Sequence, residues 1–106
     1  MTQYQIDQEI KSITNQLIQK YKPQKIILFG SAVMGKFGPD SDLDFLIVKE
    51  ESPHYGVDRI REVERLIDTP LPCDFLVAKP REVEERLKLG DPFMQMIIKE
   101  GTVLYG

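Results

Sequence analysis

Apolar runs in this 106-residue chain are short, and Ile26-Ile27-Leu28-Phe29 and Phe45-Leu46-Ile47-Val48 are as long as any. Four residues fall far below the roughly 20 that span a bilayer. They suit a strand buried on both faces. Around these runs the apolar residues change rhythm. Tyr4, Ile6, Ile10, Ile13, Leu17 and Tyr21 recur mostly at three- and four-residue steps, forming one stripe of an opening helix that Pro23 ends. A chain with both rhythms must pack helices against a sheet.

The remaining punctuation fills in the order. Residues 25–29 read as a strand, and 30–38 as a glycine turn or short helix closed by Gly38-Pro39-Asp40-Ser41. Residues 42–48 form a second strand, and a polar loop follows to Gly56. The next helix carries Val57, Ile60, Val63, Leu66 and Ile67 on one face, and residues 71–78 make a third strand. Pro80 opens a helix that Gly90 ends, with Glu82, Glu84 and Glu85 early and Arg86 and Lys88 late, in keeping with the helix dipole. Asp91-Pro92 begins a last helix through Phe93, Met96 and Ile97, closed by Gly101, and residues 102–105 suit a short edge strand. The expectation is one α/β domain over residues 1–106 with about four strands.

Charge and cysteine usage narrow the function classes. Fourteen Lys or Arg against 17 Asp or Glu give a net charge of −3, which argues against a duplex-binding protein dependent on phosphate neutralisation. Cys73 is the only cysteine, so neither an intrachain disulfide nor a cysteine-based zinc cluster is available. The N-terminus has no basic and apolar signal regions. A soluble cytoplasmic domain without a membrane segment is expected.

The second strand carries an anomaly. Side chains alternate along a strand, so Asp42 and Asp44 share one face while Leu43, Phe45 and Ile47 take the other. Two carboxylates at i and i+2 stand about 6.6–7 Å apart at Cα. Aspartate is disfavoured in strands, and like charges leading into an apolar run repel. A hard cation such as Mg²⁺ would reverse that sign. In the third strand Asp74 interrupts a similar apolar stretch. If the strands are neighbours, the three carboxylates form a site fit for two-metal phosphoryl transfer.

Upstream, Phe29-Gly30-Ser31 runs from strand into glycine turn, where backbone N–H groups and a serine hydroxyl can hold phosphate. Gly30 through Gly35-Lys36 also imitates a Walker A loop. Phe37 stands where that loop needs a magnesium-binding hydroxyl, and Gly38-Pro39 cuts off the helix that should follow. The P-loop reading fails on both counts.

Together, Leu28-Phe29-Gly30-Ser31, Gly35 and Ser41-Asp42-Leu43-Asp44-Phe45-Leu46-Ile47-Val48 resemble the signature of the DNA polymerase β-like nucleotidyltransferase superfamily. In length the chain looks most like its minimal nucleotidyltransferase (MNT) family, commonly paired with HEPN-domain proteins in toxin–antitoxin systems. The resemblance implies a single-domain nucleotidyltransferase fold with a mixed sheet flanked by helices. It implies ATP as donor, with Gly30, Ser31, Gly35, Lys36 and Ser41 on the nucleotide, and Asp42, Asp44 and Asp74 as catalytic residues holding two Mg²⁺ ions. Family loops often read Gly-Ser-x-Ala-Arg-Gly, and Met34 takes the arginine position here. The stretch after Asp74 is too short for an acceptor-binding domain. The acceptor is therefore expected on another chain, plausibly a HEPN toxin, or at an interface of a homo-oligomer. The competing reading is a non-catalytic module that binds nucleotide or neutralises such a toxin by contact.

Other residues read as structural. His54 suits a solvated loop, and Cys73 a small core position. Arg59, Arg61 and Arg65, interleaved with Asp58, Glu62 and Glu64, read as a solvated salt-bridged helix face. Phe93, Met94 and Met96 read as core, and any left exposed would mark a partner surface.

Overall fold

The first helix starts at a capping box. The Gln5 N–H donates to Thr2 Oγ1 at 3.1 Å, and the Thr2 N–H donates to Gln5 Oε1 at 2.8 Å. The structure, a computed structural model, describes residues 1–106. Helix α1, Gln3–Gln16, runs into a π turn, Leu17–Tyr21, which ends at Lys22 in the left-handed conformation (φ 57°). The stripe predicted helix through Tyr21 without showing this widened last turn.

Four strands follow the expected order: β1 Lys25–Phe29, β2 Leu43–Val48, β3 Cys73–Ala78 and β4 Thr102–Tyr105. They lie side by side as β3-β2-β1-β4. β1 is antiparallel to both β2 and β4, whereas β2 and β3 are parallel. A parallel neighbour needs a crossover, and α2, Gly56–Leu66, supplies it. α3, Pro80–Lys88, and α4, Pro92–Glu100, connect β3 to β4. Pro80 and Pro92 open these helices, as the sequence indicates.

Strand alternation divides the interior into two cores. Leu43, Phe45 and Ile47 of β2 join Ile13, Leu17 and Val63 on the α1–α2 side. Leu46 and Val48 turn to the other face, where Met94 and Ile97 of α4 cover Ile27, Phe29 and Ala78. Phe45 stacks on Phe75 across the parallel pair at 5.6 Å between ring centroids. Cys73 is half-buried against the first core, and His54 is exposed in its loop. No helix is long and apolar enough to cross a membrane.

Two helix faces differ from expectation. On α2 the inward positions are Arg59 and Val63, while Val57 lies largely exposed. Arg59, expected on a solvated face, is 4% exposed. Its guanidinium donates to the carbonyls of Pro53, His54 and Val77 and grips Glu82 with two bonds of 2.6 and 3.2 Å. A buried charge hydrogen-bonded through Nε, Nη1 and Nη2 ties the 53–54 loop to β3 and α3. Arg61 and Arg65 are exposed as expected. On α4, Met94 is buried, but Phe93 remains 45% exposed because Met94 and Ile97 take the sheet-facing positions.

Candidate active site

Three strand ends meet at one end of the sheet. The register sets Phe29, at the end of β1, opposite Asp44, and Asp44 opposite Asp74 near the start of β3. Paired residues of adjacent strands point to the same face, so Asp44 and Asp74 stand side by side. Asp42 immediately precedes β2, with the parity of Asp44, and is exposed. The structure thus gathers all three carboxylates singled out from sequence. Tertiary pairing accomplishes this, because Asp74 is 30 positions from Asp44 along the chain.

Gly30 makes room for the middle carboxylate. It follows β1 directly, with φ +78°, and a Cβ built there would fall on Asp44 Oδ2 and stand 3.1 Å from Asp44 Cγ. A side chain at this position would strain the backbone and displace the carboxylate. The sequence flagged Gly30 as a phosphate-binding turn, but its role as Asp44's neighbour depends on the β1–β2 register.

Electrostatics match this crowding. Burial raises the Asp44 carboxyl above its usual range, and the charges of Asp74 and then Asp42 add to the rise. Burial also pushes the Cys73 thiol up to about 12, with further contributions from Asp42, Glu9 and Asp44. The Cys73 thiol is therefore held protonated beside a strongly negative corner.

The loop after Gly30 is a 3-10 turn, Gly30–Ala32, whose first carbonyl accepts from the N–H groups of Val33 and Met34 at 3.1 Å. The Lys36 N–H closes back onto the Ser31 carbonyl at 3.0 Å. Gly35, at φ +71°, has open space around it, and Lys36 and Met34 are exposed. Ser41 closes the far side of the loop: its Oγ accepts from the Gly38 N–H at 2.9 Å, and its own N–H donates to the Gly38 carbonyl at 3.1 Å. No helix follows Lys36 before β2, in agreement with rejection of the P-loop.

The carboxylates supply hard oxygen donors of the type that Mg²⁺ prefers, and their mutual repulsion is what a divalent cation would relieve. They share one corner without converging on a common point: no group of three or more His, Cys, Asp or Glu side chains is drawn together in an ion-holding arrangement. The donor chemistry of the three carboxylates fits such a cation.

Comparison with known proteins settles the family. Residues 10–105 match the family described as Nucleotidyltransferase domain. The chain belongs to that family. This nucleotidyltransferase is 33% identical over 103 residues to a candidate protein adenylyltransferase from Methanocaldococcus jannaschii, an alignment covering 93% of this chain and 97% of the relative. Its fold is similar to the crystal structure of a candidate nucleotidyltransferase from Sulfolobus solfataricus, with a TM-score of 0.57 and 20% identity over 92% of this chain and 83% of that one. The α/β architecture with a mixed sheet expected from the Gly-Ser and Asp-x-Asp segments is thus the one observed, and the chain is a nucleotidyltransferase enzyme.

Proposed function

We propose that this nucleotidyltransferase moves AMP from ATP to a hydroxyl of a protein partner, with Mg²⁺ held by Asp42, Asp44 and Asp74. The observation that carries the reading is the Asp44–Asp74 register pair with Gly30 pressed against the Asp44 carboxylate. Two further facts support it: the 3-10 turn bearing Ser31 begins at the same corner, and the M. jannaschii relative is named for protein adenylylation.

In this reading Gly30, Ser31, Gly35 and Lys36 receive the triphosphate, Ser31 through its hydroxyl and Lys36 through its charge, with Ser41 holding the loop shape. The acceptor oxygen attacks the α-phosphorus, an O–P bond forms, and the bond to the bridging oxygen breaks as pyrophosphate leaves. Asp74, the outer and exposed carboxylate, takes the hydroxyl proton. When bound, Mg²⁺ would neutralise charge on the phosphates and carboxylates. The chain's own contribution is orientation: two adjacent strands and a glycine fix where the carboxylates stand.

The proposed acceptor is a HEPN-type toxin that the transfer neutralises in the cytoplasm. The test incubates that partner with this protein, ATP and Mg²⁺ and reads intact mass for an added AMP. Transfer that vanishes in Asp42→Asn and Asp44→Asn supports the proposal. Absence of transfer by the wild-type protein, with toxin protection retained in both variants, would replace it with neutralisation by contact.

A further inference from the structure

The carboxylate row continues past Asp44. Its β1 register partner, Phe29, faces the same side of the sheet and is buried in the second core. Phe93, in the first turn of α4, stands edge-to-face on Phe29, with ring centroids 5.8 Å apart and planes at 81°. That contact leaves Phe93 45% exposed. One cross-strand step, roughly 4.5–5.5 Å between Cα atoms, and one ring contact separate an accessible aromatic surface from the carboxylates.

Packing alone gives a weak account of this residue. Met94 and Ile97, both 0% exposed, already anchor α4 to the sheet. A large aromatic left half in water forgoes part of the burial energy available to it. Its location is informative as well. Across the sheet the order is Asp74, Asp44, Phe29, and Gly30 and Ser31 directly follow Phe29. Phe93 therefore lies on the Gly30–Ser31 side of the row, opposite Asp74.

We infer that Phe93 is the stacking platform for the nucleobase of the donor nucleotide, an inference that rests on the proposed placement of the triphosphate at Gly30 and Ser31. A flat π surface can stack on any base without regard to its sequence identity. The edge-to-face contact with the buried Phe29 anchors the Phe93 ring, which lowers the ordering cost of stacking.

The chain contains no tryptophan, so Phe93→Trp places its one tryptophan at the platform, where excitation at the red edge reads it apart from the tyrosines. With Mg²⁺ present, ATP is expected to quench that emission, whereas inorganic triphosphate, which lacks a base, is expected to bind without quenching. By calorimetry on the full chain, Phe93→Ala lowers ATP affinity on the order of ten-fold and leaves triphosphate affinity unchanged. Phe93→Leu retains an apolar contact on Phe29 and shows the same selective loss. ATP binding to Phe93→Trp without quenching, or ATP binding to Phe93→Leu at wild-type strength, overturns the platform alone. Failure of the wild-type protein to bind either ATP or triphosphate overturns both the platform and the donor site on which it rests.

Discussion

Asp44 and Asp74 are register partners on parallel neighbouring strands, with like charges on the same face of the sheet. Nothing in sheet packing favours such a pair. Burial and both neighbouring carboxylates oppose ionisation of Asp44, so the arrangement costs stability at the corner where the proposed reaction takes place.

Asp44→Asn is expected to separate these two effects. It removes the central charge while keeping shape, so the thermal midpoint without divalent cations rises above that of the wild type. Added Mg²⁺ then stabilises the wild type by binding the native state and has little effect on the variant. Transfer activity falls at least about 100-fold, since even outer-shell partners of metal ligands cost 10–100-fold. Melting curves with and without Mg²⁺, with rates on the same samples, check all three expectations.

Gly30→Ala should be far more damaging than Gly35→Ala, although both glycines have positive φ. At Gly35 the added methyl meets open space, leaving only the left-handed backbone cost of about 1–2 kcal/mol. At Gly30 it also meets the Asp44 carboxylate. Adding Asp44→Ala to Gly30→Ala should recover part of the loss, giving a coupling of about 0.5–3 kcal/mol in a urea-unfolding double-mutant cycle.

Glu82→Gln should weaken the clamp around Arg59. The Arg59 hydrogen bonds hold the Glu82 carboxyl at about 2, below its ordinary 4.5. Because the folded value is the lower one, this stabilisation is complete above about 4.5 and is lost as pH falls toward 2. The wild type should therefore lose stability steeply over that window, and Glu82→Gln should show a shallower slope. At neutral pH the variant is expected to be less stable by about 1–3 kcal/mol, the cost of an under-satisfied buried group. Chemical denaturation across pH 2–7 measures both effects.

Tyr21→Phe is expected to stabilise the protein or leave it unchanged. The Tyr21 hydroxyl is buried without a hydrogen-bond partner, and an unmet buried polar group costs about 1–3 kcal/mol. The ring keeps its core contacts and the Lys49 ammonium 4.2 Å above its centroid. The midpoint of urea unfolding provides the comparison; a clear fall would mean that the hydroxyl has a partner in solution.

Much of this protein was legible in its residues because local rules governed it. Alternation along a strand put Asp42 and Asp44 on one side, proline and aspartate opened α3 and α4, and short β-branched runs became the sheet. Resemblance to the polymerase β-like nucleotidyltransferases joined Gly30, Ser31 and the acids into one motif. The local rules could not align Asp74 with Asp44, because strand order and register come from closing the whole sheet. They misassigned Arg59, since an arginine among acids on a helix ordinarily faces water; only the meeting of the 53–54 loop, β3 and α3 supplies enough acceptors to bury it. They also treated Phe93 as core, because helical spacing does not reveal which of two neighbouring apolar residues turns inward. Which groups are available for chemistry follows from the residues alone. Tertiary structure decided which of them stand together, since that depends on contacts between residues distant in the chain.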